Sequence, residues 1–234
     1  MLRHVFMEGK MLENETIIYR RDLPHIHPKG AAFFITFRLA GSLPASVHRK
    51  LKEQRENELK QLSQKYRGKE FEREKYKAEK RHFARLDEWL DHASTGPHWL
   101  KEERLARIVA DKIHDLNGKN YELIAYCIMS NHVHLLFDMA GYDQISPTNI
   151  AGKTKAYPVA DTMRLLKGNT SRFCNLALDR TGAFWYKESY GHYVRDNEEL
   201  CRIVEYILNN PVKAGLVKHW QEWKFSYLNV AHHS

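Results

Sequence analysis

The sequence predicts an α+β fold, in which a sheet with adjacent antiparallel strands packs against amphipathic helices. Three short runs rich in β-branched and aromatic residues predict strands: residues 31–39, 122–129 and 132–139. Only Ser130 and Asn131 separate the last two runs, which indicates a tight hairpin turn. Three longer segments carry apolar residues at helical spacing: residues 102–116, 159–178 and 196–210. We therefore expect one sheet with helices on one face.

The segment 45–92 differs in composition from the rest of the chain. It is dense in charged residues, nearly free of glycine and proline, and poor in apolar positions. Its pattern predicts two helices with a break near Gly68. We expect this helical pair to be an insertion into a single domain that spans residues 1–234.

The remaining segments complete the predicted fold. Residues 140–158 lack periodicity and are rich in loop-forming residues, so they predict a mobile loop. Residues 184–194 predict one or two short strands. On the helix that follows the loop, the spacing predicts that Met163, Leu166 and Phe173 point inward.

The last predicted helix has sequence signals at both ends. Asp196 is a favourable N-cap residue, and Glu199 occupies the matching position of a capping box. Pro211 is expected to end the helix directly after Asn210.

Net charge and cysteine content indicate which partners and which cellular compartment suit this protein. The formal net charge of +8 suits a polyanionic partner such as nucleic acid or an anionic membrane face, although many proteins are mildly basic without such a partner. The three cysteines are scattered, which argues against a disulfide framework and against a zinc knuckle. The first residues become charged too early for a signal peptide, and no apolar stretch is long enough to cross a bilayer. We expect a cytoplasmic protein with no membrane partner.

A pair of histidines lies within the third predicted strand. Because side chains alternate between the faces of a strand, His132 and His134 point the same way, about 6–7 Å apart along the chain. Two imidazoles placed in this way can bind one metal ion. With 14 histidines in the chain, such a pair also arises by chance. The second pair, His25 and His27, is predicted to lie outside any strand, where nothing holds both rings on one face.

The last helix offers a second group of polar side chains. Tyr206 lies about 120° from the apolar stripe of this helix, and Asn210 lies beside it, one turn later. One helix face therefore presents a phenol and a carboxamide together. The alternative is a half-buried tyrosine followed by an ordinary asparagine near a helix end.

Together these groups suit the cleavage of a phosphodiester. A tyrosine phenol has a pKa near 10 and is a poor nucleophile at neutral pH, so the phosphate needs charge stabilisation. A divalent ion provides this stabilisation. Two histidine nitrogens and one amide oxygen would suit Mg²⁺ or Mn²⁺, although imidazole also accepts Zn²⁺.

Several segments resemble one known family. The His-Val-His strand with its flanks and the Tyr-Ile-Leu-Asn-Asn-Pro segment of the last helix are similar to motifs of REP-associated tyrosine transposases, within the HUH endonuclease superfamily. The segments that carry the resemblance are residues 33–39, 129–136, 165–171, 182–187, 190–196 and 206–216. The similarity extends from about residue 18 to residue 228.

The resemblance implies a ferredoxin-like antiparallel sheet, the HUH endonuclease fold. It implies His132, His134 and Asn210 as metal ligands and Tyr206 as the nucleophile. It also implies a transposase that cuts and rejoins single-stranded or hairpin DNA through a 5′-phosphotyrosine intermediate, acting as a monomer or homodimer near the nucleoid. One position departs from the family pattern, because His192 stands where many relatives have an acidic residue.

Other residues are candidates for contact with DNA. Basic and polar side chains that could hold phosphates or flank them are Arg164, Lys167, Thr170, Arg172 and Lys187. Trp185 or Tyr190 could stack an unpaired base, although core packing is the usual role of a single aromatic residue.

Two other functions are compatible with the sequence. A domesticated relative would recognise DNA hairpins without cutting them, but it would not need the complete set of His132, His134, Tyr206 and Asn210. A metal phosphohydrolase that uses water would not need the tyrosine. The segment that precedes the last helix offers three other potential nucleophiles: Tyr186, Tyr190 and Tyr193.

Overall fold

A computed structural model describes residues 16–18, 26–28, 31–142 and 158–230. Most of the predicted loop 140–158 therefore lies outside the described residues. The described chain divides into two compact units. One unit is formed by Leu39–His98, and the other by the rest of the chain.

The first two strands form a small sheet of their own. Strand β1, Thr16–Ile18, pairs antiparallel with strand β2, Ile26–Pro28. The expectation that His27 lies outside any strand is therefore wrong, because Pro28 stands only at the end of the pairing, opposite Thr16. His25 lies outside the described residues.

The main sheet has five strands in the order β6-β3-β5-β4-β7. Their bounds are β3 Ala32–Leu39, β4 Glu122–Ile128, β5 His132–Asp138, β6 Trp185–Tyr193 and β7 Ser226–Leu228. The pairs β3–β5, β4–β5 and β4–β7 are antiparallel. The predicted α+β fold with an antiparallel ferredoxin-like sheet is confirmed. Strand β7 was not predicted, because three residues are too few to show an alternating pattern.

Strand β5 lies at the centre of the sheet, and its register decides which side chains share a face. The tight turn before β5 is closed by a hydrogen bond from the Met129 N–H to the His132 carbonyl oxygen. His134 stands opposite Thr36 of β3 on one side and Cys127 of β4 on the other. Because directly paired residues point to the same face, these three side chains form one row across the sheet. His132 lies two residues before His134 and therefore faces the same way.

Among the described residues, three α-helices belong to the unit that contains this sheet: α3 Glu103–Leu116, α4 Pro158–Ala177 and α5 Asn197–Lys213. Helix α3 lies on the face opposite the histidines, where Tyr121 contacts the Phe137 ring at 4.8 Å and donates a hydrogen bond to the Ile113 carbonyl oxygen. Helix α5 lies on the histidine face, because its Tyr206 ring contacts His134. The prediction that the helices share one face is wrong, because both faces of the central strands are apolar enough to need cover.

Helix α4 differs from its prediction in one core position. Met163 and Leu166 are buried as expected, whereas Phe173 is 51% exposed. Cys174 occupies the inward position at that turn and is fully buried, and each residue is rotated by about 100° from the next. None of the described helices is long and apolar enough to span a membrane.

Helix α5 begins as predicted but ends later. Its N-cap, Asp196, accepts a hydrogen bond from the Glu199 N–H at 2.7 Å. Pro211 was expected to end the helix, yet the helix continues to Lys213. A proline removes only one intrahelical hydrogen bond, and the turn after it is closed by the Ala214 N–H, which donates to the Asn210 carbonyl oxygen.

The second unit contains two long helices, α1 Ala45–Lys65 and α2 Gly68–Asp91. The predicted break near Gly68 is confirmed, and this glycine has a φ of 55°, which a residue without a side chain adopts readily. Arg55 binds Glu79 through two nitrogens, at 2.8 and 2.9 Å, and thereby links the two helices. The description of this unit as an insertion into one domain stays a prediction.

The first testable prediction concerns the start of α5. Replacing Asp196 with alanine removes the acceptor for the Glu199 N–H, so we expect the free energy of unfolding to fall by about 1 kcal/mol. Urea denaturation followed by circular dichroism measures this loss. Asp196→Ser keeps an oxygen acceptor and should lose much less. An equal loss in both variants would show that the cap does not stabilise the helix.

Candidate active site

The two histidines of β5 form the centre of the candidate site. Both side chains are completely buried. Their Nε2 atoms are 3.0 Å apart, and their rings meet nearly edge to face, with centroids 4.7 Å apart. The alternation of the strand thus brings the two imidazoles to one point, as the sequence predicts.

The other nitrogen of each ring is held by a neighbouring polar side chain. His132 Nδ1 is 2.7 Å from the Asn131 side-chain oxygen, and His134 Nδ1 is 2.8 Å from the Thr36 hydroxyl. Asn131 and Thr36 are themselves buried. Each ring therefore has a defined orientation, with its Nε2 atom directed towards the other ring.

Burial also determines the charge of His134. Loss of solvent, followed by the positive charge of Lys213, lowers the pKa of His134 to about 3. The His134 ring is therefore neutral near pH 7. A histidine binds metal only in its neutral form, so His134 meets this requirement.

Tyr206 lies against the histidine pair. Its ring centroid is 5.5 Å from that of His134 and 6.0 Å from that of Phe34, in both cases edge to face. The side chain is half-buried. These contacts occur within one chain.

Asn210 follows Tyr206 by one helical turn, and its side chain is 1% exposed. Its amide nitrogen donates a hydrogen bond to the Tyr206 carbonyl oxygen at 2.8 Å, which fixes the orientation of the amide group. Its side-chain oxygen is buried and accepts no hydrogen bond from any residue that the structure describes. A buried oxygen in this state is suited to a cation, so the side chain fits the ligand role.

The three alternative tyrosines of β6 have different surroundings. Tyr186 lies under the guanidinium group of Arg38 at 3.8 Å, and the Tyr193 ring lies 5.8 Å from the guanidinium group of Arg195. Tyr190 contacts His192 at 5.9 Å between ring centroids. The contact with His134 makes Tyr206 the strongest candidate among the four.

His192, the position that departs from the family pattern, also faces this region. Its ring contacts Phe34 edge to face at 5.6 Å, and its Nε2 atom lies 3.8 Å from a carboxylate oxygen of the buried Glu199. Glu199 in turn accepts a hydrogen bond from the Arg195 N–H. His192 therefore packs between β3 and the first turn of α5, where it supports the helix that carries Tyr206.

Two residues of β3 that lie next to the histidines were not predicted from the sequence. Thr36 contacts His134, and Arg38 stands opposite His132 in the strand register and is 6% exposed. Burial lowers the pKa of Arg38, while Tyr186 and Glu188 act in the opposite direction. The sequence does contain a signal for them, because both are polar residues two positions apart in an otherwise apolar strand and therefore share one face.

Comparison with known proteins agrees with this arrangement. Residues 98–210 match the family model described as transposase IS200-like. The matched range includes both histidines, Tyr206 and Asn210.

One related protein of known sequence comes from Haemophilus influenzae and carries the name of a REP-associated tyrosine transposase. It is 30% identical to this chain over 107 residues. The match covers 45% of this chain and 58% of the relative, so the chain spans less than two thirds of that protein.

Two solved structures are also similar. One is a REP-associated tyrosine transposase bound to a REP hairpin, with 17% identity, a TM-score of 0.47 and coverage of 89% of this chain and 80% of that one. The other is a protein of Deinococcus radiodurans named as a transposase, with 14% identity, a TM-score of 0.28 and coverage of 79% of this chain and 93% of that one.

Only part of the predicted DNA-contacting set lies at the surface of the unit that contains the five-stranded sheet. Arg164, Arg172 and Lys187 are exposed, although Arg164 also binds Asp161 at 3.0 Å. These three side chains remain candidates for phosphate contact.

Thr170 and Trp185 are buried and bind each other instead. The Trp185 indole N–H donates to the Thr170 hydroxyl at 2.8 Å, and the indole ring packs on Phe37 at 4.8 Å. Because neither side chain reaches solvent, the expectation that they contact DNA directly is wrong. Their polar atoms stabilise the packing of α4 against β6.

Lys167 also has internal partners. Its ammonium group donates to the Tyr186 and Lys187 carbonyl oxygens at 2.7 and 3.0 Å and to the Ser189 hydroxyl at 3.2 Å. Burial, followed by the positive charge of Arg38, lowers the pKa of Lys167 to about 8. This lysine therefore fastens β6 to α4 rather than presenting its charge to a ligand.

The second testable prediction follows from this lowered pKa. In the unfolded chain, the lysine has its ordinary value near 10.5, so between pH 8 and 10.5 the unfolded state binds more protons. The stability of the wild type should therefore rise relative to Lys167→Met as the pH increases through this range. Urea denaturation of both proteins at several pH values measures the difference. A difference that stays constant above pH 8 would contradict the predicted burial cost.

Proposed function

We propose that this chain is a metal-dependent tyrosine transposase that nicks and rejoins single-stranded, hairpin-bearing DNA. The observation that carries the proposal is the contact between Tyr206 and His134, with the open oxygen of Asn210 one turn away on the same helix. A phenol beside two buried imidazoles and a buried amide oxygen combines a nucleophile with a donor set for a cation. Because these contacts lie within one chain, we propose that a single subunit forms the complete site.

His132, His134 and Asn210 would hold the metal ion. Two histidine nitrogens and one amide oxygen would suit Mg²⁺ or Mn²⁺, although imidazole would also accept Zn²⁺. When bound, the ion would supply charge stabilisation to the oxygens of the scissile phosphate.

Tyr206 would act as the nucleophile. Its phenol gives up a proton to solvent, and the phenolate oxygen attacks the phosphorus of the scissile phosphodiester. A bond forms between this oxygen and phosphorus, while the bond from phosphorus to the 3′ oxygen breaks. The 3′ oxygen takes a proton from solvent, and the 5′ phosphate stays on the tyrosine. Attack by another 3′ hydroxyl reverses these steps and rejoins the strand.

The rigidity of the site supports this role. The Phe34 and His134 rings contact the Tyr206 ring, and the capping interaction at Asp196 stabilises the helix that carries it. A nucleophile that is held in place gains rate because less freedom is lost when the reacting atoms meet.

Exposed basic side chains outside the candidate site would add contacts to DNA phosphates. Arg164 and Arg172 project from α4, and Lys187 projects from β6, next to α4. The net charge of +8 supports attraction to a polyanion. The hairpin preference rests on the resemblance to REP-associated transposases.

The third testable prediction concerns the nucleophile. Tyr206→Phe should abolish the covalent protein–DNA adduct and leave hairpin binding nearly unchanged, because affinity comes from phosphate and base contacts elsewhere. Incubation with labelled hairpin-bearing single strands and Mn²⁺, followed by a denaturing gel, measures the adduct. A gel-shift assay measures binding.

The matched controls are Tyr186→Phe, Tyr190→Phe and Tyr193→Phe, which should all retain the adduct. Loss of the adduct in one of these and its persistence in Tyr206→Phe would move the nucleophile to β6. Hairpin binding without any adduct in the wild type would indicate a non-cleaving DNA-binding protein. Cleavage that survives in Tyr206→Phe would indicate hydrolysis by water.

The fourth testable prediction concerns the metal. His132→Ala should abolish cleavage, and a higher Mn²⁺ concentration should restore part of it, because mass action offsets weaker coordination. Tyr206→Phe should show no such rescue. The matched control is the double variant His25→Ala and His27→Ala, which should cleave like the wild type. Loss of cleavage in that control would show that the other histidine pair supplies the ligands.

A further inference from the structure

We propose that Asn131 and Thr36 are positioning residues that select the ring tautomers of His132 and His134, so that both Nε2 lone pairs can face one cation. The inference rests on the metal site proposed above. It assigns a role to two buried polar side chains that would not touch the metal or the DNA. Its basis is the identity of the atom that each of them presents to a histidine Nδ1.

Asn131 presents its side-chain oxygen to His132, and this oxygen can only accept a hydrogen bond. Its side-chain oxygen lies 2.7 Å from His132 Nδ1, so this nitrogen must carry the proton. A neutral imidazole has only one N–H, and Nε2 of His132 therefore has the lone pair. Asn131 is 1% exposed and belongs to the two-residue turn between β4 and β5, where it immediately precedes the ring that it orients. His132 is thus set in its metal-binding form.

Thr36 presents a group that can either donate or accept. Its hydroxyl lies 2.8 Å from His134 Nδ1, and the residue stands opposite His134 in the β3–β5 register. A hydroxyl can accept from an Nδ1–H or donate to a bare Nδ1. The strand pairing fixes its position, while rotation of its hydrogen leaves both tautomers of His134 available.

The distance between the two rings explains why the difference between Asn131 and Thr36 matters. The Nε2 atoms are 3.0 Å apart, which is a hydrogen-bond length. When both rings are neutral, Asn131 makes His132 Nε2 the acceptor in that bond. His134 is then the donor, with its proton on Nε2 and Thr36 donating to Nδ1. When a cation binds both rings, the proton of His134 stands on Nδ1 and Thr36 accepts it.

Each histidine therefore has a different kind of hydrogen-bond partner. Asn131 would keep His132 in the tautomer that can bind metal. Thr36 would allow His134 to change from hydrogen-bond donor to metal ligand without movement of its ring. Residues that orient metal-binding histidines in this way typically change metal affinity by about 10- to 100-fold when they are lost.

The fifth testable prediction uses Mn²⁺ binding to the full chain as its readout. Thr36→Val has nearly the same shape but lacks the hydroxyl, so we expect Mn²⁺ affinity to fall by about 10- to 100-fold. Thr36→Ser restores the hydroxyl and should bring the affinity back to within about threefold of the wild type. Isothermal titration calorimetry with Mn²⁺ alone, without DNA, measures these changes.

A matched control is Thr162→Val, since Thr162 is also a buried threonine but lies on α4, on the other face of the sheet. Its Mn²⁺ affinity should equal that of the wild type. A second measurement needs no variant: the ¹⁵N shifts of the histidine rings should show His132 with its proton on Nδ1, both before and after a diamagnetic ion such as Mg²⁺ is added.

The outcomes separate this inference from the proposed function. Wild-type protein that binds no Mn²⁺ would overturn the metal site and the inference together. Wild-type binding with equal affinity in Thr36→Val would leave the metal site standing and overturn the inference alone. A proton on Nε2 of His132, or a Thr36→Ser variant as weak as Thr36→Val, would also overturn it.

Discussion

The register of β5 between its two neighbours is the constraint on which the candidate site depends. It aligns His134 with Thr36 on β3 and with Cys127 on β4. A shift by one residue would turn both histidines to the opposite face and put Val133 in their place. The backbone hydrogen bonds of the sheet thus determine the chemistry, because they decide which side chains can meet.

Packing of α5 against that face completes the site. The Tyr206 ring fits against Phe34 and His134, and the next turn of the helix buries Asn210. The same burial that excludes water from this face keeps His134 neutral, which is the form in which a histidine can bind a metal ion. A hydrophobic surface and a metal-binding surface are therefore compatible here, because neutral imidazoles can be buried when their Nδ1 atoms have partners.

The opposite face has a structural role. Trp185 and Thr170 form a hydrogen bond with each other between β6 and α4. Lys167 donates hydrogen bonds to two backbone oxygens of β6. These polar side chains were predicted to contact DNA, yet each has an internal partner that accounts for it. The predicted DNA-contacting residues that remain exposed are basic side chains that are not part of this internal packing.

The sequence by itself determined the local features of this protein. The period of two residues placed His132 and His134 on one face, and the helical period placed Tyr206 beside Asn210. Only the tertiary structure decided that these two faces meet, that Thr36 supports His134, and that Phe173 turns outward. The physical reason is that periodicity describes geometry within one element, whereas strand register and the choice of sheet face arise from contacts between residues far apart in the chain.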